Sequence, residues 1–146
     1  MTGTDDTAAL FEEVTADMDF GVGTVLDGDQ MMDLIEELLR ERSHPDYETV
    51  MVAKQGPPRT HYGVAGFREA LTDWLSPWEE FRFEIEEIVP IDDLIVMMVR
   101  QTGTTKHGGV EITTESGTVW WIQDGQVRRA TFYLDRNTAR KAAGIG

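Results

Sequence analysis

Cysteine is absent from the 146 residues, so disulfides, thiolate metal ligands and a thiol nucleophile are all excluded. Basic residues are scarce: 13 Lys and Arg stand against 27 Asp and Glu, a formal net charge of −14. Phosphate backbones are held chiefly by Lys and Arg, so nucleic acid is not an expected partner. No apolar run approaches the ~20 residues that cross a bilayer. The opening MTGTDDTAALFEE lacks the basic and then apolar character of a secretory signal. A soluble, cytoplasmic protein without a membrane partner is expected. HExxH and HxH spacings are missing, as are GxGxxG and GxxxxGK, so no metal and no cofactor is implied. Gly21-Val22-Gly23 alone is no phosphate loop.

What is present suits one domain. The length is close to a typical domain, and 40% hydrophobic residues suffice for a real core. The acids are unevenly spread, since residues 1–50 hold 14 of them and only 2 bases. A solvated, acidic helical face explains this more simply than a docking surface for a basic partner.

Leu10, Val14 and Met18 recur every four residues and predict a helix over 7–20. Met32, Ile35, Leu38 and Leu39 form the apolar stripe of a second helix over 29–42, which His44-Pro45 stops. A short strand is expected over 47–53. Residues 54–63, KQGPPRTHYG, read as an ordered loop, followed by a third helix over 66–75 with Phe67, Leu71, Trp74 and Leu75. From Trp78 the period drops to two. Phe81, Phe83 and Ile85 alternate with Arg82, Glu84 and Glu86, then LIVMMVRQT over 94–102 is apolar on both faces and therefore central or at an interface. Asp135 is placed to cap a closing helix over 136–143, with Gly144 as its stop.

The most legible element is the hairpin over 115–136. Asp124-Gly125 supplies the positive φ angles of a two-residue turn, which sets Gln123 opposite Gln126. Strict alternation from that pair puts Val119, Trp121, Ala130, Phe132 and Leu134 on one face. Thr118, Trp120, Val127, Arg129, Thr131 and Tyr133 take the other. The expected class is α+β: a strongly curved antiparallel sheet wrapped around the N-terminal helices and enclosing a tapering cavity.

With HPD before a strand, YG-x-x-G-F before a helix and VWW-x-x-DG-x-V-x-R-x-x-x-Y-x-D at the end, the chain resembles the nuclear transport factor 2-like (cystatin-like) superfamily, and within it the SnoaL-like proteins. The resemblance covers residues 28–146 and makes 1–27 an N-terminal helical extension of a single domain over 1–146. It implies a cone, commonly a homodimer, in a superfamily of polyketide cyclases, ketosteroid isomerase, limonene epoxide hydrolase, scytalone dehydratase and many binding proteins without catalysis.

Each activity is testable at its own positions. The last-strand aspartate of SnoaL-like cyclases falls at Phe132. In the epoxide hydrolase pattern Arg100 matches the arginine, while Thr102 and Phe132 fall at the aspartates, Ala53 at the tyrosine and Gln55 near the asparagine. The isomerase base falls near Lys54 and its protonated donor near Thr118 or Val119. No acid lies between Ala130 and Leu134, so a shift of one residue does not restore the last-strand acid.

The resemblance therefore favours a small-molecule binding protein over an enzyme. The expected pocket for a small apolar molecule is lined by Met98, Trp121, Ala130, Phe132 and Leu134, with Gln55, Arg100 and His61 as polar anchors. Arg100, on an otherwise apolar strand, needs either a carboxylate or a ligand oxygen. Arg129 and Tyr133 are read as structural or dimer-interface residues. The alternative is a cyclase, isomerase or dehydratase acting on a polyketide- or steroid-like substrate through His61 and Arg100, the catalytic candidates. A third reading is a partner protein whose cavity is filled by its own side chains.

Overall fold

The computed structural model describes residues 21–145. The helix expected over 7–20 lies outside them. Strand β1 (Val25–Asp27), which the sequence reading did not anticipate, leads into helix α1 (Gly28–Arg42). A capping box starts that helix: Asp27 Oδ1 accepts from the Gln30 backbone N–H at 2.8 Å, and Gln30 Oε1 accepts from the Asp27 N–H at 3.0 Å. Met31, Met32, Ile35, Leu38 and Leu39 are buried along one face, as their spacing dictates. Strand β2 (Ser43–Val52) follows directly, despite Pro45.

Residues 54–63 are not wholly loop. Arg59–Tyr62 form strand β3, antiparallel to β2 with Thr49 opposite His61 and Met51 opposite Arg59. Helix α2 (Gly63–Leu75) then begins three residues earlier than expected. Gly66 makes this close connection possible, because a Cβ there would come within 2.9 Å of the His61 carbonyl carbon. Strands β4 (Trp78–Ile91), β5 (Leu94–Thr105), β6 (Glu111–Gln123) and β7 (Gln126–Tyr133) form a meander, and helix α3 (Arg136–Ala142) closes it.

The seven described strands make one curved α+β sheet in the order β1-β4-β5-β6-β7-β2-β3. All ladders are antiparallel except β2 with β7, which run parallel. Bulges at Glu86 and Arg128 add to the bend. One face of the sheet packs on α1 and α2, and the main core lies between them, from Ile35 and Phe67 to Ile85, Val99, Trp120 and Phe132. The opposite face carries a second, smaller core of Val96, Met98 and Val119 beneath Ala139 of α3. LIVMMVRQT is thus covered on both faces by different helices.

Candidate functional site

The hairpin turn has the expected geometry, with φ of 54° at Asp124 and 74° at Gly125, and Gln123 opposite Gln126. The face assignment beyond it is corrected by the bulge. Val127 pairs with Ile122, but Trp121 pairs with Arg129 and Trp120 with Ala130, so Arg128 is the extra residue. A single inserted residue reverses parity for the remainder of the ladder. Trp120, Ala130 and Phe132 therefore face the helices together. Val119 and Trp121 share the outer face with Thr131 and Tyr133.

Three of the expected pocket residues are displaced by this. Met98 is in the outer core under α3. Trp121 donates from Nε1 to Asp93 Oδ2 at 3.0 Å, and the Arg128 and Arg129 guanidinium carbons lie 5.4 and 5.1 Å from its ring centre. Arg100 is on the outer face too, held by Glu86 (3.3 Å) and Glu115 (3.4 Å). Its need for an oxygen is met by carboxylates. Arg136 at the start of α3 joins the same group, reaching Glu86 at 2.5 Å and donating to the Val99 carbonyl at 3.0 Å. These contacts, Arg136 foremost, hold the Glu86 carboxyl below its ordinary range.

Ala130 and Phe132 do face inward, but they are sealed into the core. Phe132 lies against Phe67 of α2 with ring centres 6.4 Å apart and meets Trp120 edge-on at 6.0 Å. Tyr47 is equally sealed; its hydroxyl shares a hydrogen with Thr49 Oγ1 at 2.6 Å, and burial pushes its pKa well above the usual value. This interior is floor rather than pocket wall.

Open space on the inner face lies at the edge of the core, where β2, β5 and β7 end and α2 finishes. A cleft of about 350 Å³ is lined by Met51, Ala53, Gln55, Arg59, His61, Ala70, Asp73 and Trp74, among others. A second, of about 200 Å³, is lined by Trp74, Trp78, Phe81, Gln101, Gly103, Thr114 and Leu134, among others. Trp74 forms a wall of both. Gly103 admits the neighbouring Trp78 ring, since a Cβ there would stand 2.5 Å from it. Of the expected residues, Gln55 and His61 line the larger cleft and Leu134 the smaller, while Arg100, Met98 and Trp121 reach neither.

His61 is largely buried, and its Nδ1 stands 3.3 Å from Glu69 Oε1 on α2. A loop over 54–63 does not bring Arg59 and His61 together; strand β3 does. Two polar residues at i and i+2 are the mark of one strand face, and that signal was available. At helical spacing Trp74 is expected only as one of the apolar residues of α2. Among the described residues, no three His, Asp or Glu side chains gather as metal ligands would. No described helix is long and apolar enough to cross a membrane.

Residues 29–130 match the SnoaL-like domain, and the chain belongs to that family. No curated protein matches the sequence. Among solved structures, TerC co-crystallised with polyporic acid is 21% identical, with 96% of this chain and 98% of that one covered and a TM-score of 0.61. A candidate SnoaL-like polyketide cyclase from Jannaschia sp. CCS1 is 14% identical over 88% and 85% of the two chains, also with a TM-score of 0.61. A nuclear transport factor 2-like protein from Burkholderia xenovorans LB400 is 16% identical over 97% of each, with a TM-score of 0.56. At these identities the likeness is one of fold.

Proposed function

We propose that this SnoaL-like domain binds a small, largely aromatic organic molecule in the two clefts that meet at Trp74. The observation that carries the reading is the indole wall shared by a cleft of mixed polar and apolar lining and a mainly apolar one. Their combined space is that of a small-molecule site, about 300–1,000 Å³, and a few polar groups on an apolar surface are the usual means of fixing a ligand's orientation. That a structural neighbour was co-crystallised with polyporic acid supports a small organic ligand for this chain. The homodimer implied by the resemblance and a cytoplasmic location belong to the same proposal, and sedimentation velocity checks the oligomeric part.

The enzyme reading rests on a narrower base than the sequence suggested. Its two residues lie apart, His61 at the inner cleft and Arg100 paired on the outer face. What favours it is Glu69 beside His61 Nδ1, an arrangement that orients a general base. Native mass spectrometry of protein purified from its own host tests the binding reading. A retained small molecule that Trp74→Ala releases is the expected result, and a ligand retained equally by that variant counts against it.

A further inference from the structure

We infer that the ligand of the Trp74 site is an aromatic monoanion whose acidic oxygen is held by Arg59; this rests on the binding reading above. Most cations of this acidic chain are already engaged. Arg40, Arg68, Arg100, Arg129 and Arg136 hold carboxylates, and Arg128 and Arg140 donate to backbone carbonyls. Among the arginines, the side chains of Arg59 and Arg82 make no ion pair or hydrogen bond among the described residues. Of these two, Arg59 lines the larger cleft. Arg59 is exposed at the rim of that cleft, so its five N–H donors face solvent and are open to a ligand's oxygen.

The neighbours of Arg59 narrow the chemistry. Arg59 and His61 project from the same face of β3, opposite Met51 and Thr49, so both line the cleft from one strand. Glu69 stands at His61 Nδ1, which leaves Nε2 as the ring nitrogen to meet a ligand. Gln55 adds an amide from the preceding loop. Asp73 is the one carboxylate among the lining residues of this cleft. It disfavours a second negative charge and accepts from a hydroxyl. A guanidinium for an acid oxygen, a carboxylate for a hydroxyl and an indole for the rings together describe an aromatic acid or enol that carries a further hydroxyl group. Its apolar body extends past Trp74 toward Phe81 and Leu134.

The experiment is a fluorescence titration of the intact chain with two dyes that share their rings, anilinonaphthalene sulfonate and the uncharged phenylnaphthylamine. Both are expected to bind, the sulfonate more tightly. Arg59→Gln is expected to weaken the sulfonate about tenfold, the scale of one charge-assisted hydrogen bond, and to leave the neutral dye within about twofold. Asp73→Asn is expected to tighten the sulfonate, and Arg59→Lys to restore part of its affinity. Equal affinity of the two dyes for the wild type, or an equal effect of Arg59→Gln on both, overturns the inference while leaving an apolar site in place. If Trp74→Ala leaves both dyes bound as before, the binding reading itself fails and the inference with it. Circular dichroism of each variant separates loss of a contact from loss of the fold.

Discussion

The two faces of β5 are built from alternate residues of one short segment, yet they are covered in different ways. Toward the helices, Ile95, Met97 and Val99 enter a core sealed by α1 and α2, and Gln101 and Gly103 continue that face into a cleft. On the other side, Val96 and Met98 are closed off by the seven-residue α3, and Arg100 continues that face into a charge cluster with Glu86, Glu115 and Arg136. The inner face ends in open space and the outer face ends in ion pairs. Apolar residues on both sides of a strand show that both sides are covered. They do not show which cover leaves room for a ligand.

If the inner face is the stabilising one, truncation there has the largest effect. Phe132→Ala removes a ring packed between Phe67 and Trp120 and is expected to cost about 3–4 kcal/mol in urea unfolding. A loss under about 1 kcal/mol would show that this part of the core is loosely packed. On the outer face the docking of α3 depends on Gly117, where a Cβ would lie 2.6 Å from the Ala139 Cβ. Gly117→Ala is expected to cost about 1–3 kcal/mol by overpacking, with hydrogen exchange rising first in α3.

Acid distinguishes the faces next. The Glu86 carboxyl is lowered by Arg136 and Arg100, so its contribution is present above the unfolded-state value and is lost as pH falls through the folded one. Unfolding midpoints followed from about pH 6 down to about pH 3 should fall more steeply for the wild type than for Glu86→Gln. Matching slopes would remove Glu86 from the clamp. Smallest of all is Arg100→Ala, which breaks partly exposed ion pairs and is expected to cost under about 1 kcal/mol. It is also expected to leave ligand affinity unchanged, whereas a large loss of affinity would return Arg100 to the site.

The three described helices, the meander and the hairpin turn were legible because each follows one period or one turn signature. Asp124-Gly125 set the register of Gln123 and Gln126 correctly. The reading failed at Arg128, where alternation breaks. Val127 and Ala130 are both buried and three apart, a spacing that strict period two forbids, and the adjacent pair Arg128-Arg129 marks the residue that is bulged. That one residue moved Trp121 from the expected pocket to the outer face. β3 was missed because its flanking glycines and prolines read as loop, and with it went the pairing of Arg59 with His61 at the cleft. Trp74 gave no sign of its position, since a tryptophan at helical spacing looks the same whether it fills a core or walls a cavity.

The placement of the ligand site on the inner face is tested most directly by measuring dye affinity in two tryptophan variants, Trp74→Ala and Trp121→Ala. A loss of about tenfold or more in the first with no change in the second is the predicted result. The reverse, full affinity without Trp74 and loss without Trp121, would put the site on the outer face and contradict the account.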